Sequence, residues 1–154
     1  ALAVAAIFSF AAAKATPNPE TAGAFDSPVT EESYAKVAPF TDVRWENDLP
    51  TVRVNGDWSR LRSIDGIPIE EIMSFSREEY GSIARKRFTE DLVEVLSKMG
   101  HDPDWEVALE LRFDDGEPKT VRVRMTAVNR RLARLNLELR SKADRRREEL
   151  DAKN

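Results

Sequence analysis

The chain of 154 residues contains no cysteine and a single histidine. Without cysteine it has no disulfides, no thiolate metal ligands and no cysteine nucleophile, so its stability must come from packing. Only six glycines are present, and neither of the phosphate-binding patterns G-x-x-x-x-G-K-[ST] and G-x-G-x-x-G occurs. These absences exclude thiolate metal sites and cysteine nucleophiles, and they make a glycine-rich phosphate-binding loop improbable.

Charge and apolar content are both those of a small folded domain. The sequence is 41% hydrophobic and 34% charged, and 28 acidic against 24 basic side chains give a formal net charge of -4. This composition predicts one compact core with a well-solvated surface. Because the balance is acidic, nucleic acid is not the expected partner.

The N-terminal segment has the pattern of a targeting sequence. Residues 1–13 form an almost unbroken apolar run that ends at Ala13-Lys14-Ala15, an A-x-A pattern suited to signal peptidase. We expect a signal peptide over residues 1–15, truncated at its start, and a secreted or periplasmic bacterial protein; a retained anchor and a buried N-terminal helix are the alternatives. The run is shorter than the roughly 20 residues that span a bilayer, so no stable membrane insertion is expected after cleavage. Residues 16–30 contain three prolines and no periodicity, which predicts a flexible linker.

Residues 31–140 carry the patterns of a single α+β domain. Alternation of apolar and polar residues predicts strands near residues 43–45, 52–54, 58–64, 107–113 and 121–125. Asn55-Gly56 and Asp114-Asp115-Gly116 predict the turns of two hairpins, because these residues tolerate positive φ. A short helix is expected before the first strand, over Glu31–Val37.

Two central helices and a C-terminal helix complete the predicted domain. The first begins at Pro68 and stops before Gly81, and the second runs over 82–99 with an apolar stripe of helical period. Gly100 stands where a residue just past a helix end is expected. These patterns predict a mostly antiparallel sheet of about four to six strands with helices packed on it.

The C-terminal helix is predicted to begin after the N-cap Thr126. Its apolar stripe is formed by Val128, Leu132, Leu135 and Leu139. Its basic residues are Arg130, Arg131, Arg134, Arg140, Lys142, Arg145, Arg146 and Arg147. Three interpretations stay open: a helix docked on the acidic body, a helix that pairs with itself or a partner, and an anion-binding face. Residues 141–154, beyond the stripe, are expected to be a charged helical or frayed tail.

The stretch Ile64-Asp65-Gly66-Ile67-Pro68 is interpreted as the turn between a strand and a helix. Gly66 permits the turn, and Pro68 starts the helix because its missing N–H would be unpaired there anyway. No sequence motif places a base, a nucleophile or a metal partner near Asp65. We therefore assign Asp65, Gly66 and Pro68 a structural role.

A site that needs an imidazole must use His101. His101, Asp102 and Asp104 have the residue types of a cation-binding loop, but they match a solvated connector equally and lack the glycine of an EF-hand. A Ser-His-Asp unit is not indicated, because no G-x-S-x-G motif occurs. Adjacent carboxylates such as Glu70-Glu71 diverge by about 100° on a helix. We expect a non-enzymatic protein with no catalytic residue, metal or cofactor.

Three segments together resemble the C-terminal half of bacterial PDZ domains, modules attached to periplasmic processing and quality-control proteases. They are residues 63–72 (SIDGIPIEEI), 107–112 (VALELR) and 119–123 (KTVRV). The resemblance implies a PDZ-like domain, with another small α+β domain as the alternative. Two departures limit it: residues 67–105 hold two helical segments where a PDZ domain has one, and residues 48–57 lack the loop that binds a peptide carboxylate. No ligand-binding residue is therefore carried over.

The function expected from these patterns is an exported, non-enzymatic module that binds a protein or peptide. Strand addition to an exposed sheet edge is one expected mode, with contacts along that edge or in the furrow between a strand and the helix at 85–99. The alternative is a structural or assembly subunit that forms homo-oligomers through Val128, Leu132, Leu135 and Leu139.

Overall fold

A computed structural model describes residues 33–114 and 116–153, and the folded domain begins at Tyr34. The predicted signal peptide (1–15), the predicted linker (16–30) and residue 115 of the second predicted turn lie outside the described residues. The strands are β1 (Asp42–Glu46), β2 (Leu49–Val54), β3 (Asp57–Ile64), β4 (Ile67–Pro68), β5 (Glu106–Arg112) and β6 (Lys119–Arg124). The helices are α1 (Ile69–Tyr80), α2 (Ala84–Glu90), α3 (Leu92–Lys98) and α4 (Ala127–Asp151), with a 3₁₀ turn at Gly81–Ile83.

The six strands form one antiparallel sheet in the order β1-β2-β3-β5-β6, and the short β4 pairs with the end of β3. Helices lie between β4 and β5 and after β6, so the predicted α+β class with a C-terminal helix is confirmed. The pairing of β3 with β5 shifts register between Leu61 and Ser63. This bulge breaks the two-residue alternation, and as a result Leu61 and Ile64 are both buried although they are three residues apart.

Tight two-residue turns join the first four strands. Both central residues have positive φ in Asn47-Asp48, Asn55-Gly56 and Asp65-Gly66. This is the type I′ geometry, whose twist matches that of the flanking strands and which favours Asn, Asp and Gly. The dipeptides themselves therefore set the register of these hairpins.

One hydrophobic core lies between the sheet and the helices. Its fully buried members include Val52, Ile64, Leu109 and Leu111 from strands and Ile72, Phe88, Leu92, Val95 and Leu96 from helices. The Phe88 ring stacks on Phe40 at 5.7 Å between centroids and meets Trp45 edge-on at 5.6 Å. Burial of large apolar side chains contributes about 1.5–3 kcal/mol each, so this core is the main source of stability.

The predicted helix over residues 82–99 is wrong in one respect: it is interrupted at Asp91. Residues 81–83 form the 3₁₀ turn, α2 ends at Glu90, and α3 starts at Leu92. Asp91 leaves helical geometry, with φ -131° and ψ 41°, and its side chain is buried. Ion pairing of its carboxylate, described below, is the physical reason for the break.

Two further boundaries differ from prediction. Residues 33–37 are not helical. The next residue, Ala38, is extended in an antiparallel bridge with Thr126, and Pro39 disfavours helical geometry at Ala38. Pro68 is the last residue of β4, with ψ 140°, and α1 begins one residue later. Within the described residues, none of the helices has both the length and the apolar character of a membrane span.

Candidate functional site

The C-terminal helix α4 packs against both β1 and α2. It begins at Thr126, whose hydroxyl accepts a hydrogen bond from the backbone N–H of Asn129 at 3.0 Å. The backbone of Thr126 also exchanges two hydrogen bonds with Ala38, each 3.1 Å long. The start of the helix is therefore fixed to the beginning of the domain.

The face of α4 that contacts the body is polar. Asn136 Nδ2 donates to the carbonyl oxygen of Thr41 at 3.0 Å, and Arg130 Nε donates to the carbonyl oxygen of Glu90 at 2.9 Å. Arg140 donates to the carbonyl oxygen of Val43 and to the carboxylate of Asp42, both at 2.5 Å. Among the described residues of α4, Ala133 alone is fully buried.

Two buried carboxylates meet this helix at the break between α2 and α3. Asp91 binds Lys36 and Arg87, and Arg130 of α4 approaches it to 3.8 Å. Burial alone would raise the pKa of Asp91, but the hydrogen bonds and charges of Lys36 and Arg87 outweigh burial and hold the pKa below its ordinary value. The adjacent Glu90 carboxylate lies 3.7 Å from Arg134. This acidic pair therefore ties α4 and the chain at Lys36 to the core.

Arg140 closes the β1 edge of the sheet. Besides its bonds to Asp42 and Val43, its guanidinium lies 5.7 Å from the ring centroid of Trp58, which Arg44 also covers at 4.1 Å. The N–H of Val43 is bonded to the side chain of Asp42 at 2.8 Å. The furrow between this edge strand and α2, one of the places where the sequence predicts a ligand, is therefore occupied by α4 itself.

The leucine stripe of α4 faces away from the body. The exposed fractions are 60% for Val128, 40% for Leu132, 49% for Leu135 and 54% for Leu139. Helix docking on the acidic body was one of the three interpretations of this segment, and α4 does contact acidic residues, but through a different face from its apolar stripe. Four large apolar side chains along about three turns thus form a solvent-facing surface, which we call the α4 stripe.

Beyond Arg140 the helix continues to Asp151 with every residue exposed. Arg145, Arg146 and Arg147 lie in this projecting part, together with acidic residues such as Glu148 and Glu149. Opposite charges are interleaved along the same turns, so the segment does not present a one-signed surface.

The structure brings together two residues that the sequence left apart, Asp65 and His101. Asp65 Oδ2 lies 2.8 Å from His101 Nε2, while Oδ1 accepts from the backbone N–H of Ala108 at 2.7 Å. The Asp65 N–H also donates to the Ala108 carbonyl oxygen at 2.8 Å. The fold thus places an imidazole beside Asp65, although no sequence motif places a base there.

The geometry of the α3 end explains how His101 reaches Asp65. Gly100 has φ +90°; its N–H donates to Ser97 O, and the N–H of His101 donates to Leu96 O. This is a Schellman ending, which turns the chain back across the last helical turn. His101 thereby points at the turn after β3. The pair joins the Asp65-Gly66 turn to the segment before β5, and both oxygens of the carboxylate already have partners.

Two other acidic residues near His101 bind different partners. Asp104 accepts from the backbone N–H of Trp105 at 2.7 Å, and Glu106 pairs with Arg122 at 2.7 Å. In residues 33–114 and 116–153, no three histidine, aspartate or glutamate side chains are arranged to hold a metal ion. The cation-binding interpretation of the loop at 101–104 gains no support from this arrangement.

Compared with protein-family models, with curated proteins and with solved structures, the chain matches none of them. The resemblance of residues 63–72, 107–112 and 119–123 to PDZ domains therefore stays a prediction.

Proposed function

We propose that the protein is an exported, non-enzymatic protein-binding module whose docking surface is the α4 stripe (Val128, Leu132, Leu135 and Leu139). The observation that carries the proposal is the outward direction of these four side chains. An amphipathic surface helix normally buries its apolar side against its own domain. Here the domain binds the polar side, so the apolar side is left for another molecule.

Polar contacts hold one face of α4 to the body, and the apolar stripe takes no part in them. Arg130, Asn136 and Arg140 fix the helix to the body by hydrogen bonds to backbone carbonyls and to Asp42. Contiguous exposed apolar side chains rimmed by polar residues mark interaction sites in soluble proteins. A partner that covers the stripe removes its apolar surface from water, which stabilises the complex.

Site-specific photocrosslinking tests this surface directly. A photoreactive amino acid at position 135 is expected to attach to a protein in cells, whereas the same group at position 147, exposed on the projecting part of α4, is expected to attach far less. Leu132→Asp should abolish the crosslink from position 135, since a charge in an apolar contact is costly. Equal crosslinking from both positions would contradict the proposal.

Export is the second part of the proposal and is supported by the sequence of residues 1–15. The apolar run and the Ala13-Lys14-Ala15 pattern are those of a signal peptide. Expression of the complete gene product, followed by fractionation and determination of the mature N-terminus, tests it. A chain that stays uncleaved in the cytoplasm would contradict export without bearing on the α4 stripe.

A second candidate function, strand addition, is favoured by the position of β6. In the described part of the chain this outer strand has one partner, β5, whereas the opposite edge strand β1 is covered by α4. Lys119, Arg122 and Arg124 on β6 are exposed, which would suit an acidic extended peptide. Such charges also protect an edge against aggregation. Binding of a fluorescent acidic β-strand peptide, lost on introducing a proline at Thr120 or Arg122, would support this mode.

A further inference from the structure

We infer that the molecule covering the α4 stripe is a second copy of this chain, paired with the first as an antiparallel two-helix contact. The inference rests on the proposed function of the stripe as a protein-docking surface, and it adds the identity, direction and register of the partner. Two independent features of α4 support it: the symmetry of its apolar spacing and the position of the charges beside it.

The spacing of the stripe is the same in both directions along the helix. Its residues, 128, 132, 135 and 139, are separated by four, three and four positions. An identical helix running the opposite way therefore presents its apolar side chains at matching heights. A two-fold axis near Ala133 and Arg134 brings Val128 opposite Leu139 of the other copy, and Leu132 opposite Leu135. These pairs occur twice, which gives about four packed layers of the kind found in coiled coils.

The charges beside the stripe distinguish an antiparallel from a parallel pair. One flank carries Arg131 and Glu138, both exposed, and the other carries Asn129 and Asn136. In the antiparallel register, Arg131 of each copy faces Glu138 of the other, so two intermolecular ion pairs are expected. The Glu138 carboxylate also accepts from Arg134 of its own helix at 3.1 Å, and the intermolecular pair would share it. In a parallel pair Arg131 would face Asn136, which is already engaged with the carbonyl oxygen of Thr41.

The surroundings of the stripe allow a second helix to approach. Of the residues that bind the body, Arg130, Ala133 and Arg140 lie away from the stripe, whereas Asn136 lies on one of its flanks and is bonded to the carbonyl oxygen of Thr41. The α4 stripe ends at Leu139, because the next two positions of the same spacing are the charged residues Lys142 and Arg146. Four layers bury less than the roughly 1,200 Å² of a standard protein interface. We therefore expect a reversible dimer whose population depends on concentration.

Sedimentation equilibrium of the full chain over a wide concentration range tests self-association. Leu132→Asp is expected to raise the dimer dissociation constant at least about tenfold, because each dimer then buries two charges in apolar layers. Ser141→Asp, an exposed position on the other side of α4 from the stripe, is the matched control and should change it little. A wild-type chain that stays monomeric at the highest concentration would overturn the inference.

Charge reversal tests the register. Arg131→Glu alone and Glu138→Arg alone place like charges opposite each other and should each weaken the homodimer about threefold to tenfold. An equimolar mixture of the two variants should form a heterodimer of about wild-type strength, because the carboxylate introduced in one copy then faces the guanidinium introduced in the other. Failure of the mixture to recover association would overturn the antiparallel register.

Single cysteines test the direction, and the chain has no native cysteine to interfere. Facing core positions come within the Cα separation of roughly 4.4–6.8 Å that a disulfide requires. Under mild oxidation, Val128→Cys mixed with Leu139→Cys should give a crosslinked dimer, and neither variant alone should. Crosslinking of each variant with itself would show a parallel pair and overturn the inference.

The tests separate this inference from the proposed function. If the chain is monomeric but the photoreactive group at position 135 attaches to a different protein, the second copy is excluded and the protein-binding function stands. If position 135 crosslinks no better than position 147 and the chain is monomeric, both fail. If position 135 yields a crosslinked dimer of this chain, both are supported.

Discussion

Arg140 and Asp42 form the ion pair by which α4 closes the first edge of the sheet, with Nη2 2.5 Å from Oδ2. The same guanidinium donates to the carbonyl oxygen of Val43, and Asp42 is buried. One side chain thus satisfies both a buried carboxylate and an edge-strand carbonyl. This contact orients α4 so that its polar face is inward, and the outward direction of the leucine stripe depends on it.

Replacing Arg140 should release the middle of α4. We expect Arg140→Ala to lower the free energy of unfolding by about 2 kcal/mol, because the buried carboxylate of Asp42 loses its partner. Arg140→Lys should recover only part of this loss, since one ammonium group cannot reproduce the forked contact. Urea unfolding gives the free energies, and hydrogen exchange of residues 134–145 reports whether the helix opens locally.

The control for Arg140 is Arg145→Ala, a change at an exposed arginine on the projecting part of the same helix. It should alter the free energy of unfolding by less than about 0.5 kcal/mol. Equal effects of the two alanine variants would mean that general charge, and not the contact with Asp42, determines the stability.

Acid should weaken the attachment at Asp91. Its pKa is lower in the folded protein than in the unfolded chain, so the folded state binds the proton less readily. The stabilisation is therefore complete above the unfolded pKa of about 3.9 and is lost as the pH falls through the folded value. We expect Asp91→Asn to cost roughly 2 kcal/mol at pH 7 and progressively less as the solution is acidified below pH 4.

Unfolding free energies of wild type and Asp91→Asn, measured from pH 7 to pH 2, check this prediction. Asp144→Asn, at an exposed position, serves as the control and should differ little from wild type throughout. A cost of Asp91→Asn that stays constant down to pH 2 would show that the lost charge is not the cause.

The fold could be predicted from the sequence where the signal is local. Asn55-Gly56 and Asp65-Gly66 set hairpin turns by their tolerance of positive φ, and the alternation in β5 reports one buried face. The break at Asp91 could not be predicted in this way. The apolar period from Phe88 to Leu92 continues through it, and one partner of the Asp91 carboxylate, Lys36, is 55 residues away.

The sequence could not predict which face of α4 contacts the body, for a similar reason. A stripe such as Leu132 and Leu135 shows that one face of a helix is apolar, but not which face contacts the body. That choice depends on Glu90 and Asp91, whose burial is known only from the fold. The contact between Asp65 and His101 spans 36 residues and likewise follows from the pairing of β3 with β5 and the ending of α3.

The glycine of the Asp65-Gly66 turn should be required for its backbone conformation alone. Gly66 has φ +80°, and a Cβ built there meets no atom within 4 Å. Gly66→Ala should therefore cost about 1 kcal/mol of unfolding free energy through strain without steric overlap. Gly116→Ala is the matched control, since that site is equally open and has no left-handed φ; a similar cost at both sites would contradict the account.

The two contacts of Asp65 can be separated by substitution. Asp65→Asn keeps an oxygen that accepts from the Ala108 N–H and a residue type that tolerates the φ of +49°, so it should cost less than about 1 kcal/mol. Asp65→Ala loses that acceptor and is strained, and should cost about 2 kcal/mol. His101→Ala removes only the partly buried contact at 2.8 Å and should cost about 0.5–1 kcal/mol.

Chemical denaturation of the three variants measures these costs, and Asp65→Gly isolates the strain because glycine accepts positive φ while lacking the carboxylate. If the bond to Ala108 dominates, Asp65→Gly should be nearly as unstable as Asp65→Ala, and His101→Ala should remain close to wild type. A His101→Ala cost as large as that of Asp65→Ala would instead mean that the imidazole, and not the backbone N–H, is the main partner that holds Asp65 in the turn.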